Sequence, residues 1–317
     1  MTTVIGSGDF KYEALESWQK LPDGVNLIET PGVAVDSQDE IYIFSRNTEH
    51  PVMVFDRDGN FLRGFGKGIF SNRTHGILIG PDDTVYCADD GIHTITKFTR
   101  DGELLMTIGT SGQAAEKWGG EPFNRPTHAA ISKKTGDIFI SDGYGNFRVH
   151  KYSPDGEHIK SWGEPGIDPG QFLRPHNIAV DDDDRVIVAD REAHRVQVFD
   201  TEGNVLAVWN NIHLPNGLTI GPDKNIYIGE LPGMTQEDPT PPGMGHRISI
   251  LSPDGKLLAR FGHPEEGEGP GKFIAPHGIG VDSYGDIYVG EVSYTIRGSK
   301  MDPPKELRSL SKLRKVS

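Results

Sequence analysis

Three histidines recur at an even spacing along the chain. His75, His176 and His277 lie 101 residues apart, and each stands at the start of a short apolar run, in "RTHGILI", "RPHNIAV" and "APHGIGV". A catalytic zinc ion is commonly held by three neutral imidazole nitrogens, with one position left open for water or substrate. The three histidines therefore predict a metal site, provided that the fold brings them together.

The chain contains six similar units. One unit reads "PHNIAVDDDDRVIVADREAHRVQVFDTEGNVLAVW", and its pattern recurs from "GVAVDSQDEIYIF" near the N-terminus to "HGIGVDSYGDIYVGE" near the C-terminus. Each unit holds alternating runs rich in Ile, Val, Tyr and Phe, separated by turn clusters such as "DDDDR" and "RDGN". Units of roughly 40 to 50 residues with four short strands each predict an all-β fold, a six-bladed β-propeller with NHL-type repeats. An open β-solenoid is the alternative.

Two features favour a closed ring. The N-terminal stretch "FKYEALESWQKL" resembles an outermost strand, whereas the sixth unit loses its pattern after "IYVGEVSYTI". An N-terminal strand that completes the last blade would close the ring and remove the free sheet edge. We therefore expect residues 1–317 to form a single domain, in which residues 300–317 supply a last-blade strand or a basic tail.

The repeats place the three histidines at one equivalent position. Aligning the first strands of the six units gives, in order, Pro31, His75, Thr127, His176, Asn216 and His277. Alternate blades of a six-bladed ring are related by about 120°, and the first strand of each blade is the innermost. The three imidazoles are therefore expected to point at one spot on the axis. His128 is a weaker candidate for a supporting role, and His93, His194 and His246 fit structural positions at turns.

A second position of interest lies at the end of the second strand of each unit. Acids recur there, as Asp89, Asp142, Asp190, Glu230 and Glu291, and we expect them to tie the strand end to the adjacent turn. Arg46 and Arg191 occur near this point in the first and fourth units, and Tyr144 in the third. The two arginines fit two roles equally well, which are binding of a substrate carboxylate and formation of salt bridges between blades.

Composition narrows the partners and the compartment. The formal net charge of −14 disfavours binding to nucleic acid or to an anionic membrane surface. Cys87 is the only cysteine and lies in the alternating strand "TVYCAD", so we expect neither disulfides nor a nucleophilic role for it. With no leader-like segment near the N-terminus, the chain is expected to be soluble and cytoplasmic, without an obligate protein partner.

The segments "SDGYGNFRVHKYSPDGEHIKSWGEPGIDPGQFLRPHNIAV" and "VADREAHRVQVF" resemble the catalytic core of peptidyl-α-hydroxyglycine α-amidating lyases. The resemblance extends over most of the chain and implies a six-bladed propeller in which His75, His176 and His277 bind a catalytic zinc or another divalent transition metal. It also implies active-site roles for Tyr144, as the candidate base, and for Arg191 and Arg46.

The implied reaction is the cleavage of a carbinolamide, R-CO-NH-CH(OH)-COOH, into an amide and glyoxylate. The expected partner is thus a small molecule that carries a carboxylate. Gly278 stands where the family has a calcium-binding carboxylate, so a structural calcium is doubtful here, and Ala275 replaces a family methionine. The Pro-rich insertion at residues 231–246 could cover the mouth of the propeller and shape the substrate.

Two other functions remain open from the sequence. A histidine-bound metal could instead activate water for hydrolysis, for example of a lactone. The repeats alone could also form a non-catalytic NHL interaction platform.

Overall fold

The computed structural model describes residues 3–15, 17–233, 241 and 243–316, and the chain within these ranges is almost entirely β-structure. Its strands form six sheets, which confirms the predicted six-bladed β-propeller. The chain divides into two compact units, one made of residues 1–65 and 216–317 and the other of residues 66–215. Half of the predicted cover at residues 231–246, namely residues 234–240 and 242, lies outside the described residues.

The strands follow one another with short connections. In chain order they are β1 (Thr3–Ser7), β2 (Phe10–Leu15), β3 (Gly32–Val35), β4 (Ile41–Phe44), β5 (Val52–Phe55), β6 (Phe61–Phe65), β7 (Thr74–Ile79), β8 (Val85–Asp89), β9 (Thr94–Phe98), β10 (Leu104–Ile108), β11 (His128–Ile131), β12 (Ile138–Asp142), β13 (Arg148–Tyr152), β14 (His158–Trp162), β15 (Pro175–Val180), β16 (Val186–Asp190), β17 (Arg195–Phe199), β18 (Val205–Trp209), β19 (Pro215–Ile220), β20 (Ile226–Glu230), β21 (Arg247–Leu251), β22 (Leu257–Phe261), β23 (Pro276–Val281), β24 (Ile287–Glu291) and β25 (Leu310–Lys315). Short helical segments are α1 (Ser293–Ile296) and two 3₁₀ turns at Arg191–Ala193 and Gly298–Lys300.

Five sheets are antiparallel and join four consecutive strands, from β3–β6 to β19–β22. In each of them the first strand lies at one edge, which is the position predicted for the histidine-bearing strands. Within the second unit, β11 packs against both β7 and β15, so the first strands of consecutive sheets are neighbours. In the first unit β23 contacts β3 in the same way.

The last sheet combines both ends of the chain, in the order β1-β2-β25-β24-β23. Tyr12 in β2 pairs with Lys315 in β25, and β25 pairs in turn with β24. This confirms that an N-terminal strand completes the last blade. Of the two alternatives for the C-terminal stretch, the structure shows the third strand of that blade, β25. β1 adds a fifth strand that the sequence pattern did not predict.

Aspartates shape the turns between first and second strands. In "DDDDR", the Oδ1 atom of Asp181 accepts hydrogen bonds from the N–H groups of Asp183 and Arg185, while Asp184 takes a left-handed conformation with φ of 63°. The turn after β3 has the same construction around Asp36. Asp and Asn tolerate this backbone conformation better than most residues and cap such turns with their side chains.

Apolar residues from successive sheets fill the space between them. In the second unit, Phe139, Phe172 and Phe199 are fully buried in one cluster with β-branched residues of β15 and β16. In the first unit, Tyr12, Phe261 and Phe273 belong to a comparable cluster that includes residues of β24. Within each unit, neighbouring blades therefore bury their apolar faces on one another.

Candidate metal centre

Each of the three histidines lies in a β-bulge near the start of its strand. In β15 the register slips between Pro175 and Asn177, which leaves His176 without a residue opposite it. The same slip occurs in β23 at His277 and in β7 at His75. A bulge turns a side chain out of the regular alternation and often occurs beside active sites. The even spacing in the sequence therefore reflects a repeated local geometry.

Backbone carbonyls orient two of the imidazoles. The Nδ1 atom of His75 lies 2.7 Å from the carbonyl oxygen of Thr127, and Nδ1 of His277 lies 2.6 Å from that of Pro31. A carbonyl oxygen can only accept, so both Nδ1 atoms carry the hydrogen and both Nε2 atoms of the neutral rings present a lone pair. This is the arrangement typical of metal-binding histidines.

Tyr144 connects two histidines within the second unit. Its hydroxyl lies 3.1 Å from Nε2 of His75 and 2.9 Å from Nε2 of His176. Since Nε2 of neutral His75 can only accept, the phenol donates its single hydrogen there and accepts from His176. Metal binding at His176 would displace that hydrogen from Nε2.

The position of Tyr144 depends on the close packing of the turn that carries it. This turn follows β12, and its preceding residue, Gly143, lies so close to the backbone of Pro175 that a Cβ atom would collide with the carbonyl oxygen. The glycine therefore allows the turn to approach the start of β15. As a result Tyr144 is only partly buried, and its ring reaches the histidines edge-on.

All three predicted metal ligands are buried. His75 and His176 lie in one unit, with ring centroids 4.7 Å apart, and His277 lies in the other; each is at most 3% exposed. Buried neutral imidazoles suit a zinc site with an open position, and donation of Nδ1–H to a carbonyl, as at His75 and His277, is typical of such ligands. His75, His176 and His277 therefore stay the predicted metal ligands.

A carboxylate side chain does not fit at the position after the third histidine. A Cβ atom on Gly278 would lie 2.6 Å from the backbone nitrogen of Val33 and 2.8 Å from the carbonyl oxygen of Pro31. Strand β3 thus occupies the space that a carboxylate at residue 278 would need. This packing gives a physical reason for the glycine that the sequence places there.

Arg191 is buried beside Tyr144. It begins the 3₁₀ turn after β16, is 3% exposed, and its guanidinium lies 5.7 Å from the centre of the Tyr144 ring. Its Nη2 atom pairs with Glu192 at 2.8 Å. Burial lowers the pKa of Arg191, but Tyr144 and Glu192 outweigh this effect and raise it, so the side chain stays charged.

Arg46 occupies a comparable position in the sheet formed by β3–β6 but has different partners. Its guanidinium forms an ion pair with the buried Glu29 and donates a hydrogen bond of 2.8 Å to the hydroxyl of Thr295. Glu29 also accepts from the backbone N–H of Thr295. These contacts link the segment before β3 to the segment after β24.

The acids at the ends of the second strands are structural, as predicted. Asp190 accepts hydrogen bonds from the N–H groups of Leu173 and Arg174, and Glu291 accepts from those of Ile274 and Ala275. Asp89 and Asp142 accept backbone N–H groups in the same manner. Each acid thereby fixes the segment that leads into the histidine-bearing or equivalent position.

Other candidate residues have local partners. His93 and His194 accept backbone N–H groups at Nδ1, and His246 contacts the carbonyl of Ile274. His128 is buried with Nε2 3.2 Å from the carbonyl of Ile77, so Thr127, and not His128, supports His75. Cys87 is fully buried, and burial raises the pKa of its thiol well above the usual value, which removes it as a nucleophile.

Comparison with known proteins identifies relatives whose names include an amidating activity. Residues 172–199 match the NHL repeat. The chain is 32% identical to rat peptidylglycine alpha-amidating monooxygenase over 62% of its own length, and 30% identical to Drosophila melanogaster peptidyl-alpha-hydroxyglycine alpha-amidating lyase 1 over 74%. The chain is therefore homologous to proteins named amidating monooxygenase and amidating lyase.

The match covers only part of these relatives. The chain spans 23% of the rat protein and 45% of the Drosophila protein. The chain is also 34% identical to human NHL repeat-containing protein 3, over 63% of its own length and 61% of that protein.

Solved structures show the same fold at low sequence identity. A streptogramin B lyase is 14% identical with a TM-score of 0.61, covering 92% of this chain and 95% of the other. A gluconolactonase from Xanthomonas campestris is 13% identical with a TM-score of 0.60, covering 96% and 89%. Within the described residues, no helix is long and apolar enough to cross a membrane.

Proposed function

We propose that this chain is a metal-dependent lyase that cleaves a carbinolamide between nitrogen and the hydroxylated carbon, yielding an amide and glyoxylate or a related small carbonyl compound. The observation that carries this proposal is the contact of the Tyr144 hydroxyl with Nε2 of both His75 and His176. Homology to the amidating lyases supports the reaction class.

The reaction needs one net proton transfer. The carbinol oxygen loses its proton and forms a carbonyl group, the C–N bond breaks, and the departing amide nitrogen gains a proton. A divalent metal held by the histidines would supply Lewis acidity, which favours ionisation of the hydroxyl. A metal on the histidines would occupy the Nε2 lone pair of His75 that accepts the hydrogen of Tyr144, so the phenol would release that hydrogen to solvent when the metal binds. The resulting phenolate is the proposed group that accepts the hydroxyl proton and returns it to nitrogen.

Arg191 is the proposed partner of the substrate carboxylate. A buried guanidinium offers fixed donors that suit a planar carboxylate. Its ion pair with Glu192 holds it against Tyr144, which would place the carboxylate near the phenol. Arg46 is already bound to Glu29 and Thr295, so its proposed contribution is to stabilise the segment around residue 295 as well as to attract an anionic substrate.

The test is glyoxylate release from α-hydroxyhippurate, measured above the uncatalysed rate. The protein as purified should release glyoxylate, chelation should abolish the activity, and added Zn²⁺ should restore it. His176→Ala should lose bound metal and activity together, whereas the control His158→Gln, at an exposed position on β14, should retain both. Full activity in chelated protein, or in His176→Ala, would overturn the proposal.

A further inference from the structure

Three arginines recur at one position that the proposed mechanism does not use. Arg73, Arg125 and Arg174 each stand two residues before the aligned inner residue of the second, third and fourth sheets. The corresponding residues in the fifth and sixth sheets are Leu214 and Ala275. The cationic groups are therefore concentrated on three consecutive blades, all within one unit.

Two of these arginines face the same tyrosine as Arg191. The guanidinium of Arg125 lies 4.5 Å from the centre of the Tyr144 ring, and that of Arg174 lies 5.2 Å from it. A guanidinium over an aromatic face is held by a cation–π interaction and keeps its remaining donors available in the ring plane. The candidate base is thus surrounded by cations.

Carboxylates only partly balance these charges. Asp90 pairs with both Arg73 and Arg125, and Glu192 lies 3.3 Å from Arg174 while it also pairs with Arg191. Asp89 acts on Arg73 as well, but its oxygens accept hydrogen bonds from Ser71 and from backbone N–H groups. Four guanidinium groups therefore meet three carboxylates, which concentrates cationic groups here in a chain whose net charge is −14.

The exposed fractions of these side chains show which of them a ligand can reach. Asp90 is fully buried, whereas the side chains of Arg73, Arg125 and Arg174 are 41%, 36% and 28% exposed. Each arginine is paired with a carboxylate, and part of its side chain is exposed to solvent. A simple structural ion pair would need one arginine for each carboxylate, and Asp90 holds two.

We propose that Arg73, Arg125 and Arg174 form a subsite for a second anionic group of the substrate. The substrate then carries an oxyanion, a carboxylate or a phosphate, in addition to the carboxylate beside the carbinol. This inference rests on the proposed function in that the first carboxylate is assigned to Arg191. The three arginines would act as specificity-determining residues and take no part in proton transfer.

The test compares the binding of unreactive analogues that lack or carry a second anionic group. Hippurate has one carboxylate, 4-carboxyhippurate has two, and 4-phosphonohippurate carries a phosphonate as its second group. Isothermal titration of the metal-loaded protein should give a dissociation constant for at least one dianion that is about tenfold lower than that for hippurate. The better of the two dianions identifies the oxyanion.

Variants assign the preference to the arginines. In Arg125→Gln and Arg174→Gln, the ratio of the dissociation constants of hippurate and the preferred dianion should fall to near one. Arg63→Gln is the matched control, because Arg63 also pairs with a carboxylate, that of Glu40, and faces a tyrosine ring, that of Tyr42, outside this cluster. The control should keep the wild-type ratio.

Three results would overturn the subsite: equal affinity of the wild type for hippurate and both dianions, no binding of any of the three at millimolar concentrations, or an unchanged ratio in both variants. The proposed function fails separately, because it is tested by glyoxylate release. A protein that prefers a dianion without releasing glyoxylate refutes the lyase reaction alone. A protein that releases glyoxylate without preferring a dianion refutes the subsite alone.

Discussion

The hydroxyl of Tyr144 lies 2.9 Å from Nε2 of His176. Tyr144 is in the turn after β12, whereas His176 is in β15 of the next sheet. The same hydroxyl reaches Nε2 of His75. A phenol in contact with two imidazole nitrogens meets the condition of hydrogen-bond reach that proton transfer requires. This relationship gives the metal centre its proposed chemical role.

Tyr144→Phe should separate the phenol from the metal. The substitution keeps the aromatic ring among the arginines and removes the oxygen, so we expect unchanged metal content and a loss of turnover of about 10² to 10⁴-fold, which is typical of a lost general base. Metal analysis and glyoxylate release measure the two effects. Full turnover of α-hydroxyhippurate in the variant would show that Tyr144 is not the base.

Metal should stabilise the fold through the three histidines. A ligand that binds only the folded state adds stability in proportion to the logarithm of its concentration over the dissociation constant, about 2.7 kcal/mol at a hundredfold excess. Zn²⁺ should therefore raise the midpoint of thermal unfolding of chelated wild type. His277→Ala should show no such rise, while His158→Gln should show the full rise. An equal rise in wild type and His277→Ala would mean that the ion binds elsewhere.

Gly278→Asp should destabilise the protein without creating a calcium site. The new Cβ would meet the backbone of Val33 and Pro31, so we expect the free energy of unfolding to fall by roughly 3 kcal/mol. Gly269→Asp is the control, because Lys272 is the nearest neighbour there, at 3.9 Å. Denaturant titration with and without Ca²⁺ measures the effect. Calcium-dependent recovery of stability in Gly278→Asp would contradict this account.

His128 should make the fold sensitive to mild acid. Burial lowers the pKa of its imidazole to about 4, and Nδ1 has no hydrogen-bond partner within the described structure. The unfolded chain, with the ordinary pKa near 6.5, binds the proton more readily, so stability falls as pH drops from about 6.5 to about 4. The full effect is about 3 kcal/mol.

The glutamine variant isolates this contribution. His128→Gln can keep a donor to the carbonyl of Ile77 but cannot titrate, so its free energy of unfolding should depend less steeply on pH between 6.5 and 4. Unfolding by urea at several pH values gives the slopes. Identical slopes in wild type and variant would assign the acid sensitivity to other groups.

The sequence predicted the sheets, the completion of the last blade and the recurrence of the three histidines, because alternation, turn residues and repeat spacing are local signals. The bulges at His75, His176 and His277 escaped prediction, since a register slip is a property of two paired strands. The carbonyl groups of Thr127 and Pro31, which contact His75 and His277, belong to other sheets. No local sequence pattern predicts such contacts.

The arginine cluster was missed for a different reason. Arg73, Arg125 and Arg174 share one aligned position, two residues before the inner residue, and comparison of the repeats at that position would have revealed them. What the repeats could not reveal is that Tyr144 lies among them, because that contact depends on the close packing of Gly143 against Pro175.

The identity of the products of α-hydroxyhippurate tests the central claim most directly. A lyase that breaks the bond between nitrogen and the carbinol carbon releases benzamide and glyoxylate in equal amounts, and chelation stops the release. A hydrolase acting on the same amide releases benzoate instead. Chromatography of the reaction mixture distinguishes these outcomes. We predict benzamide and glyoxylate at one to one from the metal-loaded protein, and benzoate, or no product above the uncatalysed rate, would contradict the account.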